Sequence, residues 1–565
     1  MNFHSYRLIP LLIVTLFFVS SCQRSDQSES VWRDASTYEG PAVKNDWMVT
    51  QIGASPSILN PVLSSDLYAT QVEDWIFDQL IRPNYQTGEP IGSLASSWTV
   101  SENGLTYDFF IRENAKFHDG TPLTAEDVRF SFDIIKDPNV DAAHLQNYYA
   151  ALDRVEVIGP HHLRFHMNDR YYRNLIVLGT TKIMPKHIYG EGNFNQNPAN
   201  RAPVGSGPYR FLRWDTGRMI ELERTEDWWG TEVPYWKDRY NFDRILVRII
   251  TENSVASMAT RRGEIDVIEP LPEQFVDDFS SPEIEERFYR LQFSTMDGAG
   301  YRYVGWNLKK EVFSDRRVRQ ALAHAFPADL INQRVFKGIM RQAVGPFPKA
   351  SPKTHPDLKP YAFDEARAAQ LLDEAGWKRP NPGALRQKDG KNFEFGFMYV
   401  ANNPTLDRLA LIYQRTLADL GIRMNLRTLE WTVFLENMND GNFDAIMLSW
   451  SSSWDSDPFQ IWHSTQYANR GSNRIAFSNK RVDQLLEKAR ITLDREERNL
   501  LYQEFTKIIH EETPYLFVFE RPELLIVNRR MQGVEPVGKM GPDIPAFFTP
   551  PGFERYGRSG ASASR

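Results

Sequence analysis

Between Phe393 and Trp450 short apolar runs alternate with segments whose apolar residues recur every three or four positions. Arg423–Leu429 and Phe443–Ser449 read as buried strands. The segments from about Pro404 to Leu420 and from Thr432 to Asp440 read as helices, the second with Phe434, Leu435 and Met438 on one face. Strand–helix–strand–helix–strand predicts a parallel, helix-covered sheet. Upstream, Trp47–Ile52 predicts a first strand, followed by a Pro/Ser/Asn loop. Asp66–Ile81 predicts a helix, with Leu67, Val72, Trp75, Ile76 and Leu80 apolar. Leu94–Val100 and Leu105–Ile111 predict strands joined at Asn103-Gly104, a hairpin signal. Thr124, with Asp127 three residues on, predicts a capping box ahead of the apolar face Val128, Phe132 and Ile135. Pro327 predicts the end of a helix.

The unit ending at Ser449 delivers a loop, Trp450–Ser464, and ligands of such sheets bind beyond the carboxyl ends of the strands. Trp450, Ser453, Trp454, Asp455 and Asp457 supply stacking faces, a hydroxyl and two carboxylates, the composition of a small-molecule or peptide pocket. The same stretch also reads as an Asp-Pro turn with its tryptophans packed into the core.

Composition narrows the class. A chain of 565 residues is too long for one core and predicts two or more lobes. A net charge of −7, with no Lys/Arg run, argues against a nucleic-acid surface. The 14 tryptophans and 23 tyrosines suit a protein that clamps ligands, although large cores also use them. His161, His162 and His166 lack the helical spacing of a zinc hydrolase and read as strand residues, with His162 and His166 on one face. No nucleophile elbow and no phosphate-binding glycine loop occurs. Asp455 and Asp457 stand too close in sequence to straddle a glycosidic bond. The expectation is therefore a binding protein, not an enzyme, with no cofactor and no metal.

At the N-terminus His4 and Arg7 precede an apolar run, Leu8–Val19, too short to span a bilayer. Val19-Ser20-Ser21-Cys22 then resembles a bacterial lipobox, and Cys22 is the only cysteine. This predicts a lipoprotein signal peptide over 1–21, lipidation at Cys22 and a polar tether over 22–45.

Several stretches taken together resemble one family: Phe117–Ser131, Val204–Tyr209 with Trp228-Trp229-Gly230, Gly263–Val267, Tyr303–Leu308 and Phe313–Leu322. They are similar, in order, to motifs of the extracellular solute-binding proteins of ABC importers, in the peptide- and nickel-binding branch called family five. The likeness runs from about Trp47 to Val537. It implies an α/β, two-lobed periplasmic binding protein-like fold (type II, large cluster). Lobe I would comprise 46–294 and 517–565, with an extra subdomain inserted at about 68–200, and lobe II 295–516. Two crossing strands, near Phe293–Gly305 and Tyr515–Glu520, would form the hinge, and closure about it would trap ligand. The resemblance also implies a monomeric, lipid-anchored receptor in the periplasm or cell envelope, handing peptides or another small solute to permease and ATPase subunits.

Peptide-binding relatives pair the ligand ammonium with a carboxylate in the loop after the lobe II strand. They place it three residues after the first tryptophan, where this chain has Ser453. An insertion would make Asp455 the equivalent and Asp457 a turn or cap residue. Trp306 and Asn307 lie on the crossing strand, whose backbone could pair with an extended peptide; Trp306 reads equally as a hinge-core residue. Asn60 belongs to a loop that faces the cleft in relatives, or else to a plain connection. Two alternatives to a peptide receptor stay open: the same fold holding a metal chelate, oligosaccharide or other amphiphile, and a sensor or interaction protein that no longer transports.

Overall fold

In the computed structural model the described residues are 34–556, apart from 65, 296, 297, 299, 402 and 453. The expected signal peptide, Cys22 and Ser453 fall outside them.

Adjacent residues of the first strand, Trp47–Ile52, face opposite ways, as the two-residue period of a strand requires. Met48 joins one core and Val49 another. A sheet hydrophobic on both faces must be covered on both. This strand is the middle of a seven-stranded sheet whose order is Phe288–Phe293, Glu523–Asn528, Val267–Ile268, Trp47–Ile52, Arg244–Ile249, Met219–Arg224 and Tyr209–Asp215. Helices Asn253–Arg261 and Pro272–Asp277 cover the Val49 face. On the other side stands a four-stranded antiparallel sheet, Ala95–Val100, Thr106–Ile111, His162–Met167 and Leu152–Gly159. Its Asn103-Gly104 hairpin has Gly104 at φ 68°, a conformation glycine adopts at little cost. Thr124 caps helix Ala125–Lys136, its backbone N–H donating to the Asp127 carboxylate at 2.9 Å. His162 and His166 both lie on this sheet, bonded to Asp108 and Glu156.

A second sheet has five strands in the order Arg423–Leu429, Glu394–Val400, Ala445–Ser451, Gly300–Trp306 and Tyr515–Glu520. The first three are parallel, joined through helices Pro404–Asp419 and Trp431–Asn439. The strand expected to stop at Ser449 continues to Ser451, because Trp450 and Ser451 pair with Tyr301 and Gly300. Trp450 is therefore a strand residue, not the first residue of the loop. Helix Leu67–Ile76 is shorter than the expected Asp66–Ile81: Asp66 caps it, accepting from the Ala69 N–H at 2.8 Å, and Ile81 opens a short strand. Helix Arg316–His324 ends just before Pro327, which stands at the start of helix Ala328–Phe336.

The chain passes between the two sheets twice. It leaves the first after Phe293 and enters the second at Gly300. Tyr515–Glu520 pairs throughout with the Gly300–Trp306 strand, so the return crossing lies at Arg521-Pro522, beyond the boundary expected at 517. Beyond the return, Arg530 is buried between Asp46 and Asp266 and fastens the C-terminal strand to the start of the first one.

Candidate functional site

The loop after Ser451 sits where the two lobes touch. Trp450, just before it, lies over an aromatic column. Its ring is parallel to Tyr303, with centroids 6.3 Å apart, and Tyr303 stacks on Tyr515 at 4.0 Å. Trp462, from the short helix Phe459–Trp462 that follows the loop, is fully buried at the foot of the column, 4.7 Å from Tyr515. Trp454 does the opposite: it leaves lobe II and packs against the lobe I core, donating from its indole N–H to the Gly88 carbonyl at 3.1 Å.

Asp455 takes a left-handed backbone conformation (φ 49°), which turns its side chain back into lobe II. There it meets Lys353 at 2.8 Å and Arg498 at 3.6 Å. Burial pushes its carboxyl pKa up, but Lys353, Arg498 and Arg173 outweigh burial and hold it below the usual carboxylate range. Asp457 closes the turn ahead of the short helix Phe459–Trp462, accepting from the Phe459 N–H at 3.0 Å. Its other oxygen takes the Tyr171 hydroxyl at 2.8 Å and lies 3.1 Å from the Arg490 guanidinium.

From the lobe I side, Tyr171, Tyr172 and Arg173 close over this loop. The Tyr172 hydroxyl donates to the carbonyls of Asp455 and Ser456 at 3.3 and 3.2 Å, and accepts from the Tyr502 hydroxyl at 3.2 Å. Arg173 donates to the Trp454 carbonyl at 3.1 Å. Arg490 lies over the rings of Tyr171 and Phe459, and Arg498 over Tyr172, in cation–π contacts. The result is a charged patch at the lobe junction. For a ligand ammonium to reach Asp455, the Lys353 ammonium has to give way.

The structure thus brings Trp450, Trp454, Asp455 and Asp457 together and leaves Trp306, Asn307 and Asn60 elsewhere. Trp306 pairs with Ala445, at the start of the strand whose far end carries Trp450, which puts it about 17 Å away along the sheet. It is fully buried beside Phe313, as a core tryptophan. Asn307 binds its own lobe through the Phe443 carbonyl at 2.9 Å. Asn60 is likewise buried, holding Asn200 at 2.7 Å and the Val62 N–H at 2.9 Å in a turn. Sequence reasoning missed Tyr171, Tyr172, Arg173, Lys353, Arg490 and Arg498. Only the adjacent tyrosines after Asp169 carried a signal, an aromatic cluster in a polar loop.

Two α/β lobes joined by two crossings, with an aromatic and charged loop at their junction, make a two-lobed solute-binding architecture. The chain belongs to the bacterial extracellular solute-binding proteins, family 5, whose model matches residues 89–472. It is 30% identical over 542 residues to the oligopeptide-binding protein AppA of Bacillus subtilis, covering 93% of this chain and 95% of that one. The structure of AppA with a nonapeptide superimposes with a TM-score of 0.75 at 27% identity, over 90% of this chain and all of that one. Campylobacter jejuni NikZ, in complex with Ni(L-His), gives 0.75 at 27% identity, over 89% of this chain and 99% of its own.

Proposed function

We propose that this protein captures short peptides between its lobes and delivers them to the permease of an ABC importer, anchored to a membrane through Cys22 as a monomer. The segment between the two crossings acts as the lobe that closes. The observation that carries this reading is the segment 450–462, which stands on the lobe II core through Trp450 at the end of its strand and Trp462 in the short helix, and reaches lobe I through Trp454 in the loop between them. A loop fixed to both lobes senses closure directly. The peptide held by AppA supports the ligand class.

In this reading the Lys353 ammonium occupies the position a peptide ammonium would take, and the ligand replaces one cation by another at Asp455. A second reading, the same fold holding a non-peptide solute, is favoured by that same Asp455–Lys353 pair, which leaves no carboxylate unmatched there, and by the nickel–histidine ligand of NikZ. The deciding measurement is mass spectrometry of what co-purifies with the lipid-free mature protein after denaturation. A ladder of peptide masses supports the first reading; a single non-peptide mass supports the second. A Lys353→Met variant that binds peptide more tightly than wild type supports the exchange at Asp455, whereas weaker binding contradicts it.

A further inference from the structure

The first crossing strand carries an arginine that the protein does not neutralise. Arg302 pairs across the sheet with Ser449, near the carboxyl ends of the strands Glu394–Val400, Arg423–Leu429 and Ala445–Ser451. Its Nε lies 3.5 Å from the Ser449 hydroxyl and its guanidinium 5.8 Å from the Phe336 ring centre. One terminal nitrogen is buried with no hydrogen-bond partner, and no carboxylate lies within ion-pairing distance among the described residues. The second crossing adds another positive charge beside it. Arg521 follows the returning strand, and its backbone N–H donates to the Gly300 carbonyl at 2.9 Å.

Across the junction stands helix Pro272–Asp277 of lobe I, packed against the helix that ends at Phe336. Its Glu273 is held by the Thr405 hydroxyl at 2.8 Å through one oxygen, while the other is buried and unbonded among the described residues. A buried donor and a buried acceptor left unbonded on the two walls of one junction are costly on their own. A ligand that supplies an acceptor to the first and a donor to the second removes both costs. Burial, with Arg521 beside it, lowers the Arg302 pKa to about 10, and Glu273 is the opposite charge that acts on it. Even there the guanidinium stays charged at neutral pH.

We infer that Arg302 receives the terminal carboxylate of a peptide held between the lobes, and that Glu273 accepts the N–H of the peptide's last amide. The geometry suits the ligand class: a guanidinium matches a carboxylate in a forked, two-bond contact, and a C-terminal residue offers carboxylate and amide N–H side by side. The assignment rests on the peptide reading above and adds to it a demand for a free C-terminus. It places the charge recognition of the ligand on the crossing strand, away from the loop at Asp455.

The test uses the lipid-free mature protein and one pool of tri- to pentapeptides made twice, as free acids and as C-terminal amides of distinguishable mass. Retained peptides are identified by mass spectrometry and their affinities measured by calorimetry. Wild-type protein is expected to hold the acids about tenfold or more tightly than the amides. Arg302→Gln is expected to erase that preference. Equal retention of both pools by wild type overturns the assignment while peptide binding stands, and needs no variant to fold. A preference for acids that survives in Arg302→Gln overturns it as well. Retention of neither pool by wild type overturns the peptide reading and this contact with it.

Discussion

Asp455 and Arg302 both lie where the two lobes meet, and the protein treats their charges in opposite ways. Around Asp455 the counter-charges are supplied from within: Lys353 and Arg498 face it, while Arg490 faces Asp457. Around Arg302 the described residues supply a hydroxyl at 3.5 Å, an aromatic ring and one carboxylate beyond ion-pairing distance. A neutralised cluster holds a structure together, and an unneutralised one holds energy for whatever arrives. This difference separates a loop that fastens the lobes from a strand position that waits for a ligand, and each half of it can be broken separately.

The largest effect should come from the neutralised side. Asp455→Ala leaves Lys353 and Arg498, both almost wholly buried, without the carboxylate that faces them. Removing one partner of a buried ion pair costs about 3–5 kcal/mol. The urea midpoint of lobe II unfolding, followed by tryptophan fluorescence, should fall by that equivalent. An unchanged midpoint would show that the pair is not structural.

Acid should act at the same place. The Asp455 carboxyl is held below its ordinary value in the folded protein. It therefore binds its proton less readily folded than unfolded. Its contribution to stability is complete above the unfolded value, about 3.9, and is lost as pH falls through the lower folded value. Asp455→Asn should flatten that part of the acid dependence of the urea midpoint. A variant as acid-sensitive as wild type would shift the origin of acid lability to other carboxylates.

On the unneutralised side the sign reverses. Arg302→Met removes the buried terminal nitrogen that has no acceptor, together with the long Nε contact to Ser449, and keeps an unbranched apolar stem. Stability without ligand should rise by about 1–2 kcal/mol, the cost of an unsatisfied buried polar group. A loss of stability would mean that the guanidinium is already satisfied within the fold, and the contrast between the two regions would fail.

How far the sequence alone reached follows from the range of the forces involved. Strand and helix periods are local, so Trp47–Ile52, Arg423–Leu429 and the start of the helix at Pro404 read directly from the apolar pattern. Asp457 as a turn residue is local too, two residues from the N–H that donates to it. The partners of the loop are not: Tyr171 and Lys353 are distant in the chain from Asp457 and Asp455, and no pattern near either residue announces the meeting. Trp306 shows the converse, since an aromatic residue on a crossing strand suits core and ligand equally. Only its pairing with Ala445, at the buried end of the sheet, separates the two.

The Tyr172 hydroxyl separates folding from closure. Lys353, Arg490 and Arg498 all reach the loop from its own lobe, so their loss acts on lobe II whether or not the lobes meet. Tyr172 comes from lobe I, and its hydroxyl bonds the Asp455 and Ser456 carbonyls only while the lobes touch. Tyr172→Phe keeps the ring under Arg498, 3.9 Å away, and removes the hydroxyl alone. A neutral hydrogen bond contributes about 0.5–1.5 kcal/mol, so the ratio of closed to open molecules should fall by roughly two- to tenfold. Small-angle X-ray scattering of the ligand-free protein should report that as a larger radius of gyration, while the urea midpoint of lobe II stays where it was. A midpoint that falls with closure unchanged would place Tyr172 in the fold of the loop and take the fastening role away from it.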